Sequence, residues 1–142
     1  MTAQSNNSYQ IRPPFKDKFR PAEAKALIEK ALGEIVLIYK SGTEIPNTGY
    51  DDEREKQESS DVTPKQAMAK AMSERIKNDL KRLKKDERYK YIVQVSVGES
   101  NGQGMRVGSR NFWDDDTDDM VVVSLQNDKI FVLVCAFAVY LY

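Results

Sequence analysis

The last stretch, Lys129-Ile-Phe-Val-Leu-Val-Cys-Ala-Phe-Ala-Val-Tyr-Leu-Tyr142, constrains this chain more than any other. From Ile130 onward it holds no charge, no glycine and no proline. A strand with one face in water alternates apolar and polar side chains. This one does not. One face carries Ile130, Val132, Val134, Ala136, Ala138 and Tyr140; the other carries Phe131, Leu133, Cys135, Phe137, Val139 and Leu141. β-branched and aromatic residues dominate, which favours strand over helix. A strand apolar on both faces needs cover on both. The rest of the chain must supply two layers of cover, or a second subunit must supply one. The run is shorter than the roughly 20 apolar residues that cross a membrane as a helix, and one strand cannot close a barrel.

At 142 residues the expectation is one domain with tails. Met1–Tyr9 is polar and has no apolar run resembling a signal peptide, so a soluble protein inside the cell is expected. The formal charge is zero, but its distribution is uneven. Thr63 to Lys90 carries ten basic residues against four acidic ones, while Asp51–Asp61 and Asp114–Asp119 are acidic. Solvated faces that offset one another across the surface explain this pattern without a ligand.

Two absences narrow the chemistry. There is no His and only one Cys. Zinc sites draw on sets of His and Cys, and Ser-His-Asp or Cys-His catalysis needs a His. An intramolecular disulfide is impossible. Cys135, in the most apolar run, reads as a buried core thiol rather than a nucleophile. No catalytic, metal or cofactor residues are assigned.

Residues 1–13 read as a flexible tail with an extended lead-in, and 14–142 as the folded domain. A first helix opens at Pro21. Ala24, Leu27, Ile28, Ala31, Leu32, Ile35 and Ile38 give it one apolar stripe, with Lys25, Glu29, Lys30 and Glu34 opposite. Gly33 weakens that helix without ending it. Lys40–Val62, with Gly42, Pro46 and Gly49, reads as a mobile surface loop whose shortening should leave folding intact. Thr63-Pro-Lys-Gln66 then presents a capping box. Met68, Met72, Ile76, Leu80 and Leu83 follow along one face of a second helix, a core stripe rather than a ligand surface.

From Tyr89 the period changes to two, with Ile92 the exception to the alternation. Asn101-Gly102 predicts a hairpin turn into a weaker strand, Met105–Phe112. A loop over Asp114–Asp119, a strand over Met120–Leu125, a tight turn at Asn127-Asp128 and the terminal strand complete the chain. Two helices and then four antiparallel strands make an α+β domain, with the helices packed on a four-stranded sheet.

Several motifs fall short. Gly98, Gly102 and Gly104 suggest a phosphate loop, but no helix and no Lys follow in place. Asp114, Asp116 and Asp118 match the opening ligands of a calcium loop, but Asp119 and Leu125 stand where Gly and Glu are required. The basic second helix suits phosphate contacts, though the sheet lacks the aromatic platform of an RNA-binding surface.

A different signal is more specific. Tyr89-Lys-Tyr-Ile-Val-Gln-Val-Ser-Val-Gly-Glu99 and Ser109-Arg-Asn-Phe-Trp-Asp-Asp-Asp-Thr-Asp118, in this order of elements, resemble the Tctex-type light chains of dynein. Tyr9-Gln-Ile-Arg-Pro13 with Phe19-Arg-Pro21 looks most like the second, ciliary and axonemal, branch. The departure is the long loop between Gly42 and Asp61.

The resemblance implies a non-catalytic subunit of a ciliary or axonemal dynein motor complex. It implies a dimer that exchanges its second strand, and an intermediate-chain segment added as a further strand. The partner it implies is another Tctex-type chain, in a heterodimer rather than a homodimer. The expected location is the cytoplasm, cytoskeleton and ciliary axoneme, without a nucleic-acid or membrane partner. The peptide-binding edge falls on Val107, Gly108, Ser109, Arg110, Asn111, Phe112 and Trp113. The dimer interface falls on Met105, Phe131, Val132, Leu133, Val134 and Ala136. The residues fit this reading on their own terms. Two helices cover only one face of a sheet, and the Gly-containing Met105–Phe112 strand is the least able to hold its place. The competing reading is a small RNA- or nucleotide-binding module using the basic second helix. An enzyme is a third reading, disfavoured by the missing His and the lone Cys.

Overall fold

The structure is a computed structural model that describes residues 10–40, 63–83 and 85–141. The Met1–Tyr9 tail and all but the first residue of the Lys40–Val62 loop lie outside these residues. After a 3-10 turn at Phe15–Asp17 come α1 (Pro21–Lys40), α2 (Pro64–Arg82), β1 (Tyr89–Glu99), β2 (Asp119–Gln126) and β3 (Ile130–Tyr140). Helix α1 begins at Pro21, where the missing N–H costs nothing. Its Ala24, Ile28, Ala31, Leu32 and Ile35 are buried, and Val36 joins them. Helix α2 starts with the expected capping box: Thr63 Oγ1 accepts from Gln66 N–H, and Gln66 Oε1 accepts from Thr63 N–H at 2.9 Å. Met68, Met72, Ile76 and Leu80 are fully buried. Each such side chain contributes about 1.5–3 kcal/mol relative to an exposed one.

The sheet has three strands in the order β1-β3-β2, both outer strands antiparallel to the central β3. Helix α2 packs on β1, α1 packs on β2, and the helices pack on each other. They cover one face only. Across it, Val95, Val134 and Val123 stand side by side, flanked by Val93–Ala136–Val121 and Val97–Val132–Leu125. Along β3, Ile130, Val132, Val134, Ala136, Ala138 and Tyr140 are buried, and the intervening residues are not. At one end of the sheet the core closes on an aromatic group of Phe19, Tyr89, Tyr91 and Tyr140, with ring centroids 5.2 to 6.4 Å apart.

Of the four expected strands, three form a sheet within the chain. Met105–Phe112 forms no ladder, is exposed throughout, and makes no hydrogen bond to a described residue. Topology explains this. Strands β1 and β2 run parallel to each other on opposite sides of β3, so the chain must return the length of the sheet between them. To reach the outer edge of β2, Ser100–Gly104 would cross three strand spacings, about 14 Å. It would have to be nearly straight. Instead Gly102 has φ of 80°, Asn101 N–H donates to Gln103 Oε1 at 2.7 Å, and Gln103 Nε2 donates to the Glu99 carbonyl. The turn is compact, so the following segment does not reach β2, and it runs on without pairing to the outer edge of β1.

Candidate functional site

Register assigns the uncovered face of the sheet. Its rows are Ile92–Phe137–Met120, Gln94–Cys135–Val122, Ser96–Leu133–Ser124 and Gly98–Phe131–Gln126, with Lys90 beside Val139 at one end. Ile92 is 57% exposed and Val122 47%, whereas Val121 and Val123 in the covered rows are buried and Val93 and Val95 half-buried. The first two rows are largely apolar, and the last two are flanked by Ser and Gln. The ring of Phe131 lies over Gly98, where a Cβ would overlap it. The open face is therefore apolar towards the Tyr140 end of β3 and mixed towards the Ile130 end.

Trp113 marks where Met105–Phe112 meets this face. Its ring packs edge-on against Phe137 with centroids 6.2 Å apart, and its Nε1 donates to Asp115 Oδ1 at 2.9 Å. The acidic connector that follows is tightly built. Asp118 Oδ1 accepts from Tyr140 N–H at 2.8 Å and from the Thr117 hydroxyl at 3.1 Å. Its other oxygen accepts from Asp114 N–H at 3.2 Å, and Asp114 Oδ1 accepts from Asp116 N–H at 2.9 Å. These carboxylates fasten a turn to the end of β3. Among the described residues, no group of three or more acidic, His or Cys side chains is placed to hold a metal ion. Asp116 also pairs with Arg12 at 2.6 Å, tying the N-terminal lead-in to the connector.

The expected site residues separate into two sets. Val107, Gly108, Ser109, Arg110, Asn111 and Phe112 lie together on the exposed segment, and Trp113 ends it on the sheet. Phe112 is fully exposed, at 110%. Of the expected interface, Met105 is exposed, and Phe131 and Leu133 lie on the open face. Val132, Val134 and Ala136 do not. They are buried beneath the helices, where the period of two places them once Phe131 and Leu133 face out. Cys135 is likewise corrected: it is half-buried on the open face, not in the core. Ile92, Met120 and Val122 were missed. Their signal was present in the Ile92 break in alternation and in the uninterrupted Met120-Val-Val-Val123.

Charge is distributed differently on the helix side. Arg75 bridges Asp79 at 2.7 Å and Glu34 at 3.0 Å, joining α2 to α1, and Asp79 raises the affinity of Arg75 for its proton. Lys85 pairs with Glu23 at 2.9 Å and holds that carboxyl below the usual carboxylate range. Lys65 does the same to Glu99 through a direct ion pair. No described helix is long and apolar enough to cross a membrane.

The fold is a two-helix, three-stranded α+β domain with an unpaired segment ending on an open sheet face. Residues 43–139 match the model of the Tctex-1 family. The chain is 38% identical over 136 residues to dynein light chain Tctex-type protein 2B of Danio rerio, covering 96% of this chain and 77% of that one. It is 36% identical over 139 residues to the Homo sapiens protein of the same name, covering 98% and 84%. The Drosophila melanogaster dynein light chain Tctex-type is 33% identical over 63 residues, 44% of this chain and 57% of that one. The chain belongs to the Tctex-1 family of Tctex-type dynein light chains.

Proposed function

We propose that this chain is a non-catalytic light chain of a ciliary or axonemal dynein, dimerising and holding an intermediate chain by strand addition. One observation carries the reading: Met105–Phe112 is exposed and unpaired, and it leads through Trp113 onto an open apolar sheet face. The short connector Trp113–Asp118 keeps the segment beside the start of β2. A two-fold axis then brings each segment alongside the partner's β2, and the two open faces cover each other. The exchanged strand supplies the fourth strand that the chain lacks. Its outer edge, Val107–Trp113, is left to pair with the backbone of an extended peptide.

The open-face interface consists of Met105, Phe131 and Leu133 with Ile92, Met120, Val122 and Phe137. The partner favoured is a different Tctex-type chain, within a multi-subunit dynein complex at the axonemal cytoskeleton. The relatives' names, all dynein light chains, support the complex.

The test is a pair of proline variants, Ser109→Pro and Arg110→Pro. Proline removes one N–H and is accepted in a strand only where that donor is unused. Neighbouring N–H groups point to opposite sides, so one variant should lose the intermediate-chain segment while remaining dimeric, and the other should weaken the dimer. Calorimetric titration and sedimentation read the two effects. Normal affinity in both variants rules out pairing along this edge.

A further inference from the structure

The opposite side of the sheet carries a second, chemically distinct surface. β1 is an edge strand, and α2 lies along it. Their relative direction is set by two contacts. Lys65 at the start of α2 pairs with Glu99 at the end of β1, while Lys77 and Lys81 near the end of α2 share a groove with Tyr89–Tyr91 at the start of β1. Helix and strand are antiparallel. The groove at that end encloses about 1130 Å³.

Its charges sort by whether they are already engaged. Lys85 is held by Glu23, Asp86 accepts from Arg88 N–H and the Tyr140 hydroxyl, and Arg88 donates to the Gln10 carbonyl. Lys77, Lys81 and Lys90 also line the groove and are exposed, and their side chains make no hydrogen bond or ion pair with any described residue. They flank the edge from both sides. Lys77 and Lys81 come from the helix above, and Lys90 stands on the open face of β1.

We infer that the α2–β1 groove is a second docking site, which takes an extended acidic protein segment along the free edge of β1. The spacing suits such a ligand. Residues four apart on a helix are separated by about 6 Å along its axis, and alternate residues of a strand by about 6.6 Å. One face of an added strand can therefore set successive carboxylates against Lys77 and Lys81, while its other face meets Lys90. Backbone hydrogen bonds come from the strand edge. A nucleic acid fits less well. It brings no backbone N–H and C=O groups to pair with a strand edge, and Asp17, Asp86 and Glu87, which line the same groove, oppose an anion of either kind. The same lysines also blunt a sheet edge against non-specific pairing, and only a selective ligand separates the two roles. The site is on the far side of the sheet from the exchanged strand and does not depend on dimerisation.

The experiment uses the full chain and three fluorescent probes: a short peptide alternating Glu and Thr, its Gln-Thr analogue, and an oligouridylate of equal charge. The Glu-Thr peptide is expected to bind in anisotropy titrations, about tenfold or more tighter than the analogue. Lys77→Glu with Lys81→Glu should abolish that difference, with sedimentation unchanged. Amides of Tyr89–Val97 that exchange freely alone should become protected with peptide. Failure to bind the peptide, equal affinity for the analogue, preference for the oligouridylate, indifference to the double substitution, or binding without new protection would each overturn the proposal. Loss of the Ser109 and Arg110 effects described above would leave it standing, so the two readings fail separately.

Discussion

The hydroxyl of Tyr89 donates to the carbonyl of Thr117 at 3.0 Å, across a span of 28 residues. The same oxygen accepts from Phe19 N–H at 3.2 Å. One phenol thus joins the lead-in to α1, the start of β1 and the acidic connector. Tyr89→Phe keeps the ring and removes both bonds, leaving a buried donor and a buried acceptor unpaired. We expect a loss of about 2 kcal/mol, measured as a lower urea midpoint at unchanged slope. An unshifted midpoint would contradict this role.

Asp118 performs the corresponding task from the connector side, with three donors on one buried carboxylate. Asp118→Ala should cost about 3 kcal/mol, since hydrogen bonds to charged groups exceed neutral ones. It should also release Trp113 from Phe137. Trp113 is the only tryptophan, so its emission should shift to the red in the folded variant. Unchanged emission would show that the connector does not position the ring.

Neighbouring residues on β3 should respond in opposite ways. Val134 lies beneath the helices and Leu133 on the open face. Val134→Ala should lower stability by about 1–3 kcal/mol with association retained. Leu133→Asp should weaken dimerisation with little change in the folded monomer. Sedimentation and denaturation of both variants check the assignment, and the reverse pattern would exchange the roles of the two faces.

Three phenols make stability sensitive to alkali. Burial pushes Tyr91 up to about 12 and raises Tyr89 and Tyr140 above the ordinary phenol value. Each ionises more readily when unfolded. Their contribution is complete below about pH 10 and declines above it, for Tyr91 until about pH 12. Unfolding free energy should be flat on their account below that window and fall within it. Tyr91→Phe should reduce the slope there. A variant with the full wild-type slope would remove Tyr91 from the explanation.

Local chemistry carried much of the fold. Pro21, the Thr63–Gln66 box and the Met stripe of α2 act within a few turns of helix, so their meaning does not depend on distant contacts. The tight turn behaves likewise. Asn127 Oδ1 accepts from both Lys129 and Ile130 N–H at 2.8 Å, closing β2 onto β3 from residues adjacent in sequence. The alternating run from Tyr89 made β1 legible for the same reason.

What these patterns omit is long-range choice. Arg12 and Asp116 meet across 104 positions, and nothing near either residue announces it. Met105–Phe112 has strand-like composition, yet the compact Ser100–Gly104 turn keeps it from the outer edge of β2, and it forms no ladder with β1 either. The candidate peptide edge was legible as a segment, whereas half of the residues expected at the interface, Val132, Val134 and Ala136, are buried beneath the helices. β3 itself shows why. Its composition established by itself that both faces need cover. Because both are apolar, it could not say which one the helices take. A strand repeats every two residues, so a shift of one exchanges its faces completely. The packing of α1 on β2 and of α2 on β1 settled that choice, burying Val132, Val134 and Ala136 and leaving Phe131, Leu133 and Cys135 to face outward.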